Sequence, residues 1–304
     1  MHRATVPARV GLAGNPSDAY GGAALAVPVP DLAATVEVVD GEPGAEPALI
    51  TAAAARLGRH VGREDSFAVR WSTTVPREVG LAGSSALVIA TMRALCARWD
   101  VDVPPLELAH LALAVEVEDL GIAAGLMDRA VQVFGAPVLV DGDDARRVAG
   151  ALPTLVVAWR GAAAASSHGV HGPLRARFDA GERVVVAAMD RLAALGRRAA
   201  GAVERGDHVE LRDCVRSTWA ERGALGIVAA ETAAMVEALE TVGVAATSAG
   251  SGGSVAGVLP PDADLASVEE ALMQCGRDGA PAGGALSRPQ WIVVAAAERE
   301  GGGH

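Results

Sequence analysis

Val75-Pro76-Arg77-Glu78-Val79-Gly80-Leu81-Ala82-Gly83-Ser84-Ser85-Ala86 is a short loop rich in glycine and serine. It follows an apolar run, Phe67 to Trp71, and opens into a segment from Leu87 to Trp99 with helical apolar spacing. A loop with few side chains can bring its N–H groups close to an anion. The helix N-terminus behind it adds about half a positive charge. Ser84 and Ser85 stand where a phosphate, or a metal bound to it, would sit. The spacing is neither that of the P-loop nor GxGxxG. No Lys follows the last glycine, and the chain contains no Lys at all. A glycine-rich turn capped by serine is the plain alternative, and two further segments weigh against it.

The chain has 304 residues, which fits two domains of ordinary size, and 51% of them are apolar, enough for a large core. No run reaches the roughly 18–20 apolar residues of a membrane span. The start, Met1-His2-Arg3-Ala4-Thr5, has no secretory pattern. A cytoplasmic protein with no membrane partner is the expectation. The formal net charge of −11 disfavours nucleic acid as a partner. It does not exclude a nucleotide, because N–H groups, Arg and a metal can gather phosphate locally. Cys96, Cys214 and Cys275 are far apart and odd in number, so neither a disulfide framework nor a zinc knuckle is expected. All 26 basic residues are Arg, so any phosphate-binding cation has the forked guanidinium geometry. The only Asn, Asn15, and the only Tyr, Tyr20, fall in one polar stretch, Asn15-Pro16-Ser17-Asp18-Ala19-Tyr20.

Patterning predicts strands over 4–13, 32–39, 67–73, 137–140, 154–159, 244–247 and 290–296, with a further apolar run over 255–259. Helices are predicted over 49–61, 84–99, 106–120, 175–205, 207–224, 228–242 and 265–275, with a glycine-broken segment, 121–134, ending in another. Asp141 to Asp144 reads as an acidic turn, Gly161 to Gly172 as a polar loop, and Gly301 to His304 as a frayed end. A domain boundary is expected near 142–152, dividing residues 1–150 from 151–304. The order is α+β in both halves rather than a regular βαβ alternation.

Three segments in order carry a resemblance. Ala8-Arg9-Val10-Gly11-Leu12-Ala13-Gly14-Asn15-Pro16-Ser17-Asp18, Pro76 to Ala86, and Ser248-Ala249-Gly250-Ser251-Gly252-Gly253-Ser254 resemble the three motifs of the GHMP kinases. The likeness spans nearly the whole chain. Within the superfamily the first two segments, together with Gly121 to Gly135, resemble the glucuronokinase branch. The resemblance implies a two-lobed fold: an N-terminal α/β lobe like that of a small-subunit ribosomal protein, a C-terminal ferredoxin-like lobe, and a site between them.

The same resemblance implies roles for single residues. Asp128 becomes the catalytic carboxylate beside the acceptor hydroxyl; as a helix-first-turn Asp it also has a purely structural reading. Arg9 becomes the cation bridging Asp128 and the γ-phosphate, against the alternative of a surface charge. Pro76, Gly80, Leu81, Ala82, Gly83, Ser84, Ser85 and Ala86 become the ATP phosphate loop. Ser85 and Glu116 become the Mg²⁺ ligands, with Glu118 and Asp119 as competitors for the carboxylate. Asn15, Ser17, Asp18 and Tyr20 would line the acceptor site, and Gly250, Ser251, Gly252 and Gly253 would pack against substrate or phosphates. Ser166, Ser167, His168 and His171 occupy a loop to which no catalytic role is given. A sugar-acid carboxylate would want an Arg, and Arg129, Arg160 and Arg175 are candidates by position only.

The expected function is ATP- and Mg²⁺-dependent phosphorylation of a sugar or sugar acid, glucuronate first. Another sugar or small alcohol (galactose, a heptose or a mevalonate-like compound) remains an alternative, as does a catalytically silent binding homologue. The oligomeric state is not readable.

Overall fold

The computed structural model describes residues 1–161, 167–275 and 288–294. The first half is built on β1 (His2–Ala13) and β2 (Ala23–Val39), long antiparallel neighbours. Helix α1 (Ala48–Val61), strand β3 (Ala68–Thr73), helices α2 (Gly83–Trp99), α3 (Pro105–Ala114) and α4 (Leu126–Phe134), and strands β4 (Val138–Asp141) and β5 (Asp144–Arg147) complete it. β1 lies along one edge of β2. The other edge pairs with β4 near the start of β2 and with β3 near its end.

β2 runs further back than the predicted 32–39 because two prolines hid it. Pro28 and Pro30 lie between the β4-paired and β3-paired stretches, where β2 has only β1 as a neighbour. A proline that donates no ladder bond is tolerated there. The register of β1 shifts between Pro7 and Ala8. Val6 therefore packs into the helical core with α2, whereas Ala8, Val10 and Leu12 pack into the opposite core. By alternation Arg9 is turned toward the helical side, where α4 begins. The expected helix over 106–120 ends as α3 at Ala114 and continues as one π-helical turn, Val115–Asp119. The expected acidic turn over 141–144 is the turn of a hairpin, and it joins β4 to a further strand, β5.

The second half contains β6 (Leu155–Trp159), α5 (Ser167–Asp179), α6 (Arg183–Arg205), α7 (His208–Ala224), α8 (Ala230–Thr241), β7 (Ala245–Ser248), β8 (Ser254–Val258), α9 (Leu265–Cys275) and β9 (Gln290–Val294). The helix predicted over 175–205 is two helices, parted at Gly181, which takes a left-handed φ of +71°. Its four described strands form an antiparallel sheet in the order β7-β8-β6-β9. Leu155, Val157 and Trp159 of β6 face a core shared with β1, β2, α6 and α7. Val156 and Ala158 face the other way, onto α8 and α9 through Met235, Leu239, Val268 and Leu272. Residues 295–296 of the last predicted strand, and the predicted frayed end at 301–304, lie outside the described residues. Among the described residues no helix is long and apolar enough to cross a membrane.

Candidate active site

Arg9 is the point at which the three sequence motifs meet. Its side chain is buried. Nε donates to Asp128 Oδ1 at 2.5 Å, and Nη1 donates to the carbonyls of Gly80 at 2.8 Å and Ala249 at 3.0 Å. The backbone repeats the connection: Arg9 N–H donates to Leu81 O and Gly11 N–H to Ala249 O. One guanidinium thus ties a carboxylate from α4 to carbonyls of two glycine-containing loops.

Those loops touch through glycines. A Cβ on Gly250 would lie 2.4 Å from Gly80 O, and a Cβ on Gly80 would lie 2.6 Å from Gly252 O. Gly80 also has a φ of +79°, which side chains rarely adopt. Glu78 and Ala82 are likewise left-handed, with φ of 59° and 61°. Such backbone strain is retained where the surroundings enforce it, commonly at sites. Ala82 is the N-cap of α2, and no side chain caps that helix. Its first N–H groups are left for an anion, with the dipole behind them.

The serine pair divides by helix phase. Ser84 is exposed, and its Oγ donates to Glu116 Oε1 at 2.9 Å. Ser85, about 100° further round α2, is fully buried and donates to Gln132 Oε1 at 2.7 Å. Gln132 in turn donates to Pro7 O and Ala82 O, fixing the loop to β1. Ser85, expected as the metal hydroxyl, is thus engaged with Gln132, and the exposed hydroxyl beside Glu116 is that of Ser84.

Glu116 sits on the π-helical turn and is buried. Its Oε2 accepts from Arg129 Nε at 2.7 Å and also from Arg129 Nη2. Arg129 further donates to Gly125 O at 2.9 Å and lies 3.5 Å from Asp128. Arg129, one candidate by position for a substrate carboxylate, is engaged with the chain's own acids. Glu118 and Asp119 bind Arg56 at the surface and stand apart from Glu116.

Asp18 belongs to a single 3-10 turn, Ser17–Tyr20, and lies against the N-terminus of α4. Burial and the neighbouring Asp128 push its pKa up to about 6, against the opposing pull of Arg9 and of the Met127 N–H it accepts. Gly125 has no Cβ because one would lie 2.4 Å from Asp18 Oδ2. Ser17 does not join this group. It is fully buried and its Oγ donates to Ala23 O. Asn15 is buried, donating to Ser248 O at 3.3 Å, while its Oδ1 has no partner among the described residues. The Tyr20 ring packs at a tilt of 58° against Phe178, centroids 4.8 Å apart, and lines a cavity of about 200 Å³ with Phe178, Met189 and Arg197.

These contacts between Arg9, Asp128 and the two glycine loops match the three motifs in space, and comparison with known proteins decides the family. The model of the GHMP kinase N-terminal domain matches residues 48–136, and that of the GHMP kinase C-terminal domain matches 199–278. The chain belongs to the GHMP kinase family. Glucuronokinase 1 of Arabidopsis thaliana is 29% identical over 210 residues, covering 62% of this chain and 56% of that relative's length. The fold is similar to that of the Streptococcus pneumoniae phosphomevalonate kinase complexed with phosphomevalonate and AMPPNP, with a TM-score of 0.77 and 16% identity over 96% of this chain and 100% of that one. It is also similar to Lactococcus lactis galactokinase complexed with galactose, with a TM-score of 0.76 and 16% identity over 97% and 94% of the two chains.

Two further expectations fall differently on the GHMP kinase fold. Arg160 is buried and donates to Cys275 O, and Arg175 pairs with Asp179 and covers the Tyr20 ring. Ser166, and the side chains of Ser167, His168 and His171, lie outside the described residues. Sequence reasoning missed Gln132, which braces the loop, and Arg222, whose Nη1 and Nη2 donate to Asn15 O and Gly250 O at 3.2 Å each. The recurrence of Thr218 and Arg222 at i, i+4 on α7 is the one signal it offered: Thr218 accepts from Gly14 N–H on the same loop.

Proposed function

We propose that the protein transfers the γ-phosphoryl group of ATP to a hydroxyl of a sugar or sugar acid, glucuronate being the favoured acceptor. The observation that carries this reading is the single Arg9 guanidinium holding Asp128, Gly80 O and Ala249 O together. The likeness to a glucuronokinase supports the acceptor class.

In this reading the uncapped N-terminus of α2 receives the triphosphate. Asp128 takes the acceptor hydroxyl's proton as the new O–P bond forms and the β–γ bridging bond breaks, leaving ADP. Arg9 keeps Asp128 in place and offsets charge on the transferred group. Ser84 and Glu116 form a donor set of one hydroxyl and one carboxylate, which suits Mg²⁺ carried on nucleotide phosphates. Bound there, the ion would neutralise phosphate charge. Arg129 already balances Glu116, so the protein's own donors hold the ion only together with the nucleotide.

The test is ADP release from MgATP across a panel of sugars and small alcohols that includes glucuronate. Glucuronate-dependent ADP is expected, and Asp128→Ala should lower turnover by about 10²–10⁴-fold with nucleotide binding retained. Near-normal turnover in the variant would remove Asp128 from the chemistry, and preference for another acceptor would replace glucuronate.

A further inference from the structure

Arg9 and Arg222 hold successive carbonyls of one loop. Arg9 donates to Ala249 O and Arg222 to Gly250 O. The first cation is balanced by Asp128. The second is not balanced. Arg222 is only 2% exposed, yet among the described residues no carboxylate pairs with it. Its partners there are two neutral carbonyls at 3.2 Å, and its Nε–H has none. A guanidinium has five N–H donors, so most of its capacity is open. Burial without a counter-charge draws its pKa down to about 10, and the one acid acting on it is Asp18. A buried cation in this state is costly unless something pairs with it.

The neighbours say what that something is. Arg222 Nη1 donates to the backbone of Asn15, whose Oδ1 is itself a buried acceptor with no partner among the described residues. One residue thus carries a buried unpaired acceptor, and the cation that bonds its backbone carries a buried unpaired donor. Together they complement a ligand bearing a hydroxyl and an anionic group on adjacent carbons. Asp18, next to Asp128, is the acid whose charge reaches Arg222.

We propose that Arg222 binds the carboxylate of the acceptor and makes the site select a sugar acid over the neutral sugar. Arg222 is a specificity residue rather than a participant in phosphoryl transfer. The assignment rests on the acceptor class proposed above. Wild type and Arg222→Met are to be compared on glucuronate and on glucose, which carries CH₂OH in place of the carboxylate. Calorimetric binding is measured beside turnover, because it needs no phosphoryl transfer.

Loss of an Arg–carboxylate pair in a desolvated site should weaken glucuronate binding by about 30-fold or more, and the glucuronate-to-glucose ratio of kcat/KM should fall to match. Apo Arg222→Met loses the donors to Asn15 O and Gly250 O and should melt below wild type, so the deciding readout is ligand-dependent: glucuronate should raise the melting temperature of wild type only. Arg222→Lys, which keeps charge and loses the fork, should fall between the two and serves if Arg222→Met does not fold. Equal losses on both acceptors would reduce Arg222 to a loop brace and overturn the proposal. So would glucuronate binding unchanged in the variant, or absent in wild type. Tighter binding of a sugar phosphate than of glucuronate, lost in the variant, would replace the carboxylate by a phosphate. Glucuronate binding that depends on Arg222 with no ADP formed would leave this assignment standing and sink the kinase reading alone.

Discussion

At the scale of single residues, the site is a set of charges settled by burial. Asp18 shows the cost. Its pKa is raised from 3.8 to about 6, first by burial and then by Asp128. A raised acid favours the neutral form in the fold, so the stability it contributes is complete below about pH 4 and lost as the pH rises through 6. Asp18→Asn imitates the neutral acid and keeps an acceptor for the Met127 N–H. It should therefore melt above wild type at pH 8, by up to about 3 kcal/mol of stability, and match it near pH 4. A difference that ignores pH would show that Asp18 is not buried as a strained carboxylate. The serine pair gives a second prediction. Ser85→Ala leaves Gln132 Oε1 without its donor and should cost about 1–3 kcal/mol in denaturant unfolding. Ser84→Ala should leave stability nearly intact and raise the KM for ATP at limiting Mg²⁺. The reverse pattern would restore Ser85 as the metal hydroxyl. Sequence could supply both serines; the phase that separates them is set by where α2 begins, at Gly83 behind a left-handed Ala82.

At the scale of elements, glycine decides what patterning cannot. α6 reads as an amphipathic helix, and in such a helix Gly196 looks like a defect costing about 1 kcal/mol relative to Ala. The structure supplies the reason for it. A Cβ at Gly196 would lie 2.4 Å from Ala23 O and 3.0 Å from Ala24 Cα, both backbone atoms of β2 that cannot swing aside. Gly14 meets Gly196 at the same crossing. Gly196→Ala should therefore destabilise the protein in spite of its better helix propensity, by about 1–3 kcal/mol as for an overpacked core. Increased stability would mean that α6 crosses β2 less closely. The same limit explains what was legible. Helices α1, α7 and α9 follow from apolar period alone, because each buries one face, whereas α2 is buried on every side from Ser85 to Met92. The length of β2, the register shift at Pro7 and Ala8, and the hairpin at Asp141–Asp144 depend on which neighbour each residue meets. Arg9 and Asp128 were legible through motifs. Arg222 was not, because on an Arg-rich helix only its i, i+4 spacing from Thr218 sets this buried cation apart from the solvated ones.

At the scale of the whole molecule, the two sheets share a core, and this bears on how the protein unfolds. One face of the first sheet is closed by its own helices. The other, with Ala8, Val10, Leu12, Leu25 and Val27, is closed by α6, α7 and β6 through Ala199, Val203, Leu211, Val215 and Leu155. The joint is polar where the chemistry lies: Arg9 and Arg222 cross it, and the loops at Gly80 and Gly250 meet backbone to backbone. Chains with two domains often unfold in steps, since interfaces between domains are small and polar. Here the larger part of the junction is a buried apolar layer, and burial of that kind is the main favourable term in folding. Unfolding should therefore be a single transition, with a calorimetric enthalpy equal to the van 't Hoff value. Residues 1–150 produced alone should lack a fixed tertiary structure, because the face of β1 and β2 that includes Val10 and Leu25 would stand open to water. Two resolved transitions, or a fragment with dispersed side-chain NMR signals, would show that each half closes its own core, and the Arg9 contacts would then join two independent bodies. A single transition would mean that the geometry around Arg9 persists only while both halves are folded, so that a substitution deep in the α6–β2 contact should impair the site and the fold together.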